Sequence, residues 1–195
     1  MTKPSCRQDL LMTKLSDFYA DDNNINILLP IVMGDSNISL RVIDWFVTNY
    51  SKKNNILYNI DYQQNDELKT KQFIVYINYK SQLKAYSKRY FDPFCRRERI
   101  DFQYKANKNI TTTVGQLNFF RWAISNNVIN YIRENLSLIE KDMNQSIRHL
   151  YQKKEQNTDT DTKRRKRHQL SISATRSVTK HHVSLIVDFG IEKKV

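Results

Sequence analysis

The amino-acid sequence predicts an α+β fold, a mainly antiparallel sheet packed against two to four helices. The hydrophobic period supports this class, because it is helical before residue 56, changes to two in the middle of the chain and becomes helical again after residue 113. The length of 195 residues, 39% of them hydrophobic, suits one well-buried core with an accessory tail. We therefore expect residues 1–195 to form a single α+β domain.

Helical patterns dominate the N-terminal part of the chain. Apolar residues at 10–19 share one helix face, which a run of Asp and Asn ends. Residues 25–33 are predicted to form a short buried element. A longer helix is expected at residues 39–51, for which Ser36 or Ser39 can serve as the N-cap. Its apolar stripe consists of Leu40, Ile43, Val47 and Tyr50.

Alternating apolar residues predict strands in the middle of the chain. Residues 56–62 and 100–104 alternate with a period of two, as a half-buried strand does. Residues 73–79 are apolar on both faces, which predicts a central strand. The basic and aromatic stretch at 80–99 would then be a connection framed by the sheet.

The C-terminal part is predicted to contain helices, a loop and a returning hairpin. Thr113 and Gln116 have the spacing of a capping box, and helical stripes continue to residue 151 with a break at 125–127. Residues 152–168 contain no apolar side chain, so we expect a flexible basic loop there. Alternation returns in residues 169–195, which predicts that this tail rejoins the sheet.

The excess positive charge is confined to two segments. Residues 71–108 contain ten Lys or Arg against three acids, and residues 148–168 contain eight against three. Together they account for the formal net charge of +12, so the rest of the chain is neutral. Concentrated charge of one sign attracts polyanions, and nucleic acid is the commonest of these. The sequence therefore predicts a nucleic-acid-binding protein, with DNA as the favoured polymer.

The predicted contacts lie in segments 80–99 and 163–167. Lys and Arg side chains would hold phosphates while tyrosine rings stack on bases, as in proteins that bind single strands. The candidates for phosphate contact are Lys80, Lys84, Lys88, Arg89, Arg96, Arg97, Arg99, Lys163, Arg164, Arg165, Lys166 and Arg167. The candidates for stacking are Tyr86 and Tyr90.

Other interpretations of these segments stay open. Asp92 and Pro93 can begin a turn, with Phe91 and Phe94 packed inward and the neighbouring charges merely solvated. The run at 163–168 can be a nuclear localisation signal or a solvated loop.

An enzymatic alternative rests on Asp92, Asp101, Gln103 and Lys105, which loosely resemble the carboxylate, Gln and Lys grouping of metal-dependent nucleases. The order Asp-Pro does not fit that grouping, so we expect no catalysis. We also expect no metal and no cofactor. The two cysteines lack Cys-x-x-Cys spacing, and the histidines lack ligand spacing with any Cys or acid pair.

The cysteine and hydropathy patterns predict a soluble protein in a reducing, intracellular compartment. Two cysteines form no disulfide framework, and no segment approaches the roughly 20 apolar residues that span a bilayer. The N-terminal residues have no apolar run of signal-peptide length. We expect no membrane partner.

Three stretches resemble an uncharacterised protein family of large nucleocytoplasmic DNA viruses. They are Ile-Ser-Leu-Arg-Val-Ile-Asp-Trp-Phe-Val-Thr-Asn-Tyr-Ser-Lys-Lys at 38–53, residues 80–97, and Thr-Val-Gly-Gln-Leu-Asn-Phe-Phe-Arg-Trp-Ala-Ile at 113–124. The pattern at 166–171 is also similar. The resemblance implies a viral protein in the cytoplasm or nucleus of an infected cell, with packaging in the virion as a further possibility. The second function class is accordingly a virion structural or assembly protein whose basic segments contact acidic protein partners.

Overall fold

The computed structural model describes residues 7–64 and 67–155, and it confirms the α+β class. Helices make up most of this part of the chain, together with two separate two-stranded antiparallel sheets. In chain order the elements are α1 (Arg7–Tyr19), α2 (Asp22–Met33), α3 (Leu40–Trp45), a π-helical turn (Phe46–Tyr50), α4 (Ser51–Lys53), β1 (Leu57–Gln64), β2 (Glu67–Ile74), α5 (Val75–Tyr90), β3 (Ile100–Lys105), β4 (Lys108–Thr112), α6 (Val114–Ser125), α7 (Val128–Glu134) and α8 (Leu136–Glu155).

The N-terminal helices begin and end at identifiable caps. Asp21 caps α2 by accepting a hydrogen bond from the Asn23 amide, and Gly34 ends it in the left-handed conformation with φ +88°. The short buried element expected at 25–33 is therefore part of a helix. Of the two candidate caps for the next helix, Ser39 is the one that accepts from the amide three residues on, at 3.2 Å.

Asp142 joins the end of that helical run to α8. Its Oδ2 accepts a hydrogen bond from the Trp45 indole N–H at 3.0 Å, and its Oδ1 pairs with the Lys53 ammonium. Burial by itself would raise the pKa of the Asp142 carboxyl, but the bonds from Lys53 and Trp45 outweigh that effect and lower it. The carboxylate is thus held in its ionised form as the link between α3, α4 and α8.

The first hairpin confirms the strand predicted at 56–62 and corrects the one predicted at 73–79. β1 pairs with β2, but β2 ends at Ile74 and the chain continues directly as α5. Val75 and Tyr79 are buried one helical turn apart, whereas Ile77 between them is 60% exposed. A central strand would have buried all three, so the burial pattern is that of a helix. A short apolar run does not distinguish the period of a strand from that of a buried helix, which is why the sequence did not predict α5 here.

The prediction of a single sheet is also wrong. Among the described residues, β3 and β4 pair with each other and with no other strand, in a second antiparallel hairpin that confirms the strand predicted at 100–104. Residues 80–99 therefore form most of helix α5 and the loop that follows it, and do not connect two strands of one sheet.

Helix α6 lies at the centre of the core. Nine of its twelve residues are buried, which is typical of a helix surrounded by other elements. The ring of Trp122 lies near four other rings, with centroid distances of 5.5 Å to Phe91, 5.6 Å to Phe119, 6.1 Å to Tyr79 and 6.3 Å to Phe73. This helix thereby joins the first hairpin, α5 and Phe91 of the loop after α5 in one aromatic cluster.

The predicted start of α6 and the break that follows it are confirmed, whereas the last helix is longer than predicted. Thr113 caps α6 by accepting from the Gln116 amide, and the break at 125–127 separates α6 from α7. Helix α8 continues to Glu155, so the first four residues of the loop predicted at 152–168 are helical. The remainder of that loop and the predicted hairpin at 169–195 lie outside the described residues.

Candidate nucleic-acid interface

Helix α5 presents cations without a single acid. Its sixteen residues include Lys80, Lys84, Lys88 and Arg89, all four exposed, and no Asp or Glu. Surface helices usually intersperse both signs of charge. Within residues 7–64 and 67–155, neither Lys80 nor Lys84 has an ion-pair partner. Their charges are therefore available to an external anion.

A kink at Ser87 separates the two halves of this basic helix. Ser87 has φ +58° and ψ 170°, a region that is populated almost only by glycine. Its hydroxyl accepts a hydrogen bond from the Arg89 amide at 3.3 Å, which helps to hold the bend. Lys88 and Arg89 therefore do not continue the helix face that carries Lys80 and Lys84.

The basic loop that follows α5 comprises residues 91–99, and its first turn is built on Asp92. This buried carboxylate accepts two hydrogen bonds from Arg96, at 2.9 Å from Nε and 2.8 Å from Nη2, and a third from the Phe94 amide. The Arg96 guanidinium also lies 4.5 Å from the centre of the Phe94 ring. The turn at Asp92 and Pro93 is present as the alternative interpretation predicted, with Phe91 fully buried and Phe94 half-buried.

The charge of Asp44 on helix α3 influences this ion pair electrostatically. Burial raises the pKa of the Asp44 carboxyl, and the positive charge of Arg96 only partly offsets the effect. Burial, followed by the negative charge of Asp44, raises the pKa of Tyr79 to about 12. Arg96 thus bonds to the carboxylate of its own loop and is also attracted by the charge of Asp44 on α3. The sequence offered one signal for Asp44, an acid beside the apolar stripe of its helix.

The inner side of the basic loop is fixed by buried polar side chains of α6. Gln116 donates from Nε2 to the Pro93 carbonyl at 2.8 Å and accepts from the Thr112 hydroxyl at 2.8 Å. Asn118 donates to the Tyr90 carbonyl at 2.8 Å. The Asp92 amide donates to the carbonyl of Gly115 at 3.2 Å. Because buried amides need partners, these bonds fix the backbone of residues 90–93 against α6.

Sequence reasoning missed Gly115, Gln116 and Asn118 as supports of the site. The available signal was two amide side chains in a mostly apolar helix, since such residues are buried only when hydrogen-bonded. All three lie in the stretch at 113–124 that carries the family resemblance.

The outer side of the basic loop consists of exposed arginines. Arg97 and Arg99 are both exposed, and Glu98 is the only acid between them. Lys105 on β3 instead pairs with Asp22 at 2.7 Å. Arg96 is exposed as well but pairs with Asp92, so the exposed cations of residues 80–99 without an ion pair in the described ranges are Lys80, Lys84, Lys88, Arg89, Arg97 and Arg99.

The two tyrosines predicted to stack on bases are half-buried. Tyr86 stacks on Phe91, with ring centres 6.4 Å apart and planes 19° apart. The Arg89 guanidinium lies 5.3 Å from the centre of the Tyr90 ring. Each ring therefore has one face already in contact with the protein. The predicted contacts at Lys163, Arg164, Arg165, Lys166 and Arg167 lie outside the described residues.

Three of the four residues of the nuclease alternative have another partner. Both oxygens of Asp92 bind Arg96, Asp101 accepts a hydrogen bond from Thr111 at 2.9 Å, and Lys105 pairs with Asp22. In the part of the chain that the structure describes, no three His, Cys, Asp or Glu side chains are grouped to hold a metal. No helix within the same ranges is long and apolar enough to cross a membrane.

Arg96 and Arg97 should respond differently to the same substitution. We expect Arg96→Ala to lower the free energy of unfolding by about 1–2 kcal/mol, because it leaves the buried Asp92 with the Phe94 amide alone. The value lies at the low end for a charged pair, since the Arg96 side chain is 61% exposed. Arg97→Ala should change stability by less than about 0.5 kcal/mol. Urea unfolding compares the two variants, which have the same net charge. Equal decreases in the free energy of unfolding would refute the anchoring role of Arg96.

Comparison with known proteins gives the family. The sequence model of a family of unknown function, DUF7197, matches residues 4–184. The chain is also 44% identical over 151 residues to the Uncharacterized protein L507 of Acanthamoeba polyphaga mimivirus, a match that covers 74% of this chain and 57% of the relative. No solved structure matches it significantly. The predicted resemblance to an uncharacterised family of giant viruses is thereby confirmed, and the chain belongs to the DUF7197 family.

Proposed function

We propose that the protein binds nucleic acid, without catalysing a reaction, through the basic face of α5 and the basic loop at 91–99. The observation that carries this proposal is the charge of residues 75–99, which contain seven Lys or Arg against two acids. Both acids lie in the basic loop, and Asp92 is already neutralised by Arg96. The remaining cations face solvent and give this surface a positive potential that attracts phosphates.

The anchoring of the basic loop supports binding of a polymer. The backbone of residues 90–93 is bonded to Gly115, Gln116 and Asn118, so the start of the loop is already ordered before Arg97 and Arg99 contact phosphates. We favour DNA as the polymer, since the sequence resembles proteins of large DNA viruses. Such a role would be performed in the cytoplasm or nucleus of the infected cell, or inside the virion.

Binding should depend steeply on salt. Each phosphate contact releases counterions and adds about 0.9 to the slope of log affinity against log salt on duplex DNA. If four to six of the exposed cations engage, tripling the salt concentration should weaken binding by about 50- to 400-fold. The measurement is a fluorescence-anisotropy titration of the full chain with labelled single- and double-stranded DNA and RNA across a salt series.

A double variant locates the contacts. Arg97→Ala combined with Arg99→Ala should lower the slope on duplex DNA by about 1.8, since two phosphate contacts are removed. The matched control is Lys14→Ala combined with Lys141→Ala, which removes the same charge from exposed positions of α1 and α8. The same slope in both double variants, or no binding of any polymer at low salt, would contradict the proposal.

The second candidate function is that of a virion structural or assembly protein. One observation favours it, the exposure of large aliphatic side chains where β2 meets α5. This surface is distinct from the basic loop and can serve a protein partner whether or not the basic loop binds nucleic acid.

A further inference from the structure

Three large aliphatic side chains are exposed at the junction of the first hairpin and α5. Leu57 and Ile74 are directly opposite each other in the β1–β2 pairing and are 51% and 38% exposed. Directly opposed residues of an antiparallel pair point to the same face of the sheet. Ile77 follows in the first turn of α5 and is 60% exposed. Side chains of this kind cluster on a monomer's surface mainly where a partner binds.

An open groove of about 520 Å³ continues this surface along α5. It is lined by Tyr76, Ile77, Lys80, Ser81, Leu83 and Lys84. Its floor is therefore largely apolar, while two lysine side chains form its rim. A third cation, Lys52 of α4, lies 5.6 Å from the centre of the Tyr76 ring.

The length of the groove matches a short helix. Positions 76–84 of α5 span eight helical rises, which is about 12 Å or slightly more than two turns. An amphipathic helix offers apolar side chains at positions i, i+3, i+4 and i+7 over the same distance. A helix with acidic residues beside this stripe would place carboxylates next to Lys80 and Lys84.

The charge of the groove identifies the partner's chemistry. α5 contains no acid that could pair with these lysines, so an acidic partner would meet no competing carboxylate on this helix. A second copy of the chain in a two-fold dimer would bring the same lysine rim against itself, and like charges in contact are unfavourable. Complementarity therefore selects an acidic surface.

We propose that the groove along α5 docks an acidic amphipathic helix of a protein partner. The apolar stripe of that helix packs on Ile77 and Leu83 and extends over Leu57 and Ile74, and its flanking Asp or Glu side chains pair with Lys80 and Lys84. This inference goes beyond nucleic-acid binding and does not depend on it, although Lys80 and Lys84 belong to both proposed surfaces.

The test uses the full chain and a fluorescein-labelled synthetic peptide of about two to four helical turns, with leucines at i, i+3, i+4 and i+7 and glutamates on both flanks. We expect saturable binding in an anisotropy titration. A second peptide keeps the leucines and replaces every glutamate with lysine. It should bind at least about tenfold more weakly, because the lysine rim then repels it.

Variants assign the binding to the groove. Ile77→Ser should weaken binding of the acidic peptide about tenfold, since this side chain is covered in the complex but contributes little to the core. The matched control is Leu138→Ser on α8, which changes an aliphatic residue of similar exposure, 58%, and should leave the affinity within about twofold. Lys80→Gln combined with Lys84→Gln should reduce the preference for the acidic over the basic peptide.

Several outcomes would overturn the proposal. These are no binding of the acidic peptide, equal binding of both peptides, or an affinity that Ile77→Ser leaves unchanged. A dimer in sedimentation velocity that Ile77→Ser dissociates would assign the groove to a second copy. The groove would instead be assigned to nucleic acid if a single-stranded oligonucleotide competed with the peptide and if Ile77→Ser weakened binding of both by the same factor. The salt slope for duplex DNA, measured on Ile77→Ser, keeps the two functions distinguishable, because that slope depends on cations and not on the apolar floor.

Discussion

Replacing Trp122 with Ala is expected to lower the free energy of unfolding by about 3–5 kcal/mol, the usual cost of deleting a large buried aromatic side chain. The indole is buried among four rings and donates a 2.6 Å hydrogen bond to Asn78 on α5. Its removal leaves a cavity where α5, α6, the first hairpin and the basic loop meet. Because domains of this size are stable by only about 5–15 kcal/mol, much of the stability would be lost.

Urea unfolding followed by far-UV circular dichroism measures this loss. Trp122→Phe separates its two causes, since it keeps a ring in the cluster and removes the bond to Asn78, and it should cost about 1–3 kcal/mol. Leu138→Ala, an exposed site on α8, should cost less than about 0.5 kcal/mol. A Trp122→Ala protein as stable as the Leu138→Ala protein would show that the aromatic cluster is not the centre of the fold.

Gly115→Ala is expected to destabilise the protein by about 1–3 kcal/mol and to loosen the basic loop. An added Cβ would lie 2.9 Å from the Arg89 carbonyl oxygen and 3.4 Å from the Phe91 nitrogen. These are backbone atoms, so no side-chain rotation relieves the contact. Helix propensity alone predicts the opposite sign, a gain of up to about 1 kcal/mol for Ala over Gly. The clash should prevail because shifting the backbone at 89–93 also strains its hydrogen bonds to Gly115, Gln116 and Asn118.

Two measurements test the effect of Gly115→Ala. Urea unfolding measures the loss of stability, and trypsin cleavage after Arg96 and Arg97 should become faster. Adding Arg89→Ala should give no rescue, because the clash involves the Arg89 backbone. Gly34→Ala is a control with a strained φ of +88° but no atom within 4 Å, so it should cost about 1–2 kcal/mol without changing cleavage in the basic loop. Stabilisation by Gly115→Ala would mean that α6 and the loop are less closely packed than described.

Local signals in the sequence predicted much of the fold. Ser39 and Thr113 act as caps because a side-chain oxygen reaches an amide only three residues away, and such short-range rules operate whatever surrounds them. The same holds for the break after Ser125 and for the alternation in β1 and β3. The α+β class followed from these elements.

Long-range choices were not predictable in the same way. The apolar run at 73–79 fits a strand or a buried helix equally, and only packing of Val75 and Tyr79 against the core selects the helix. Whether four strands form one sheet or two hairpins depends on partners that periodicity does not specify. The cations of the candidate site were predictable from the charge distribution along the chain. The hydrogen bonds that support the loop were not, since Gln116 and Asn118 bond to carbonyls 23 and 28 residues earlier in the chain.

The bonds from α6 to the basic loop end on main-chain carbonyls, which every amino acid carries. Scaffold and contact surface are therefore separable: α6 specifies the path of residues 90–93 without specifying the side chains that follow at 97–99. Those outward positions can be exchanged while the supporting amides stay unchanged, much as antibody loops vary on a constant framework. A library randomised at 97–99, with Gly115, Gln116 and Asn118 retained, would yield folded proteins that differ chiefly in what they bind.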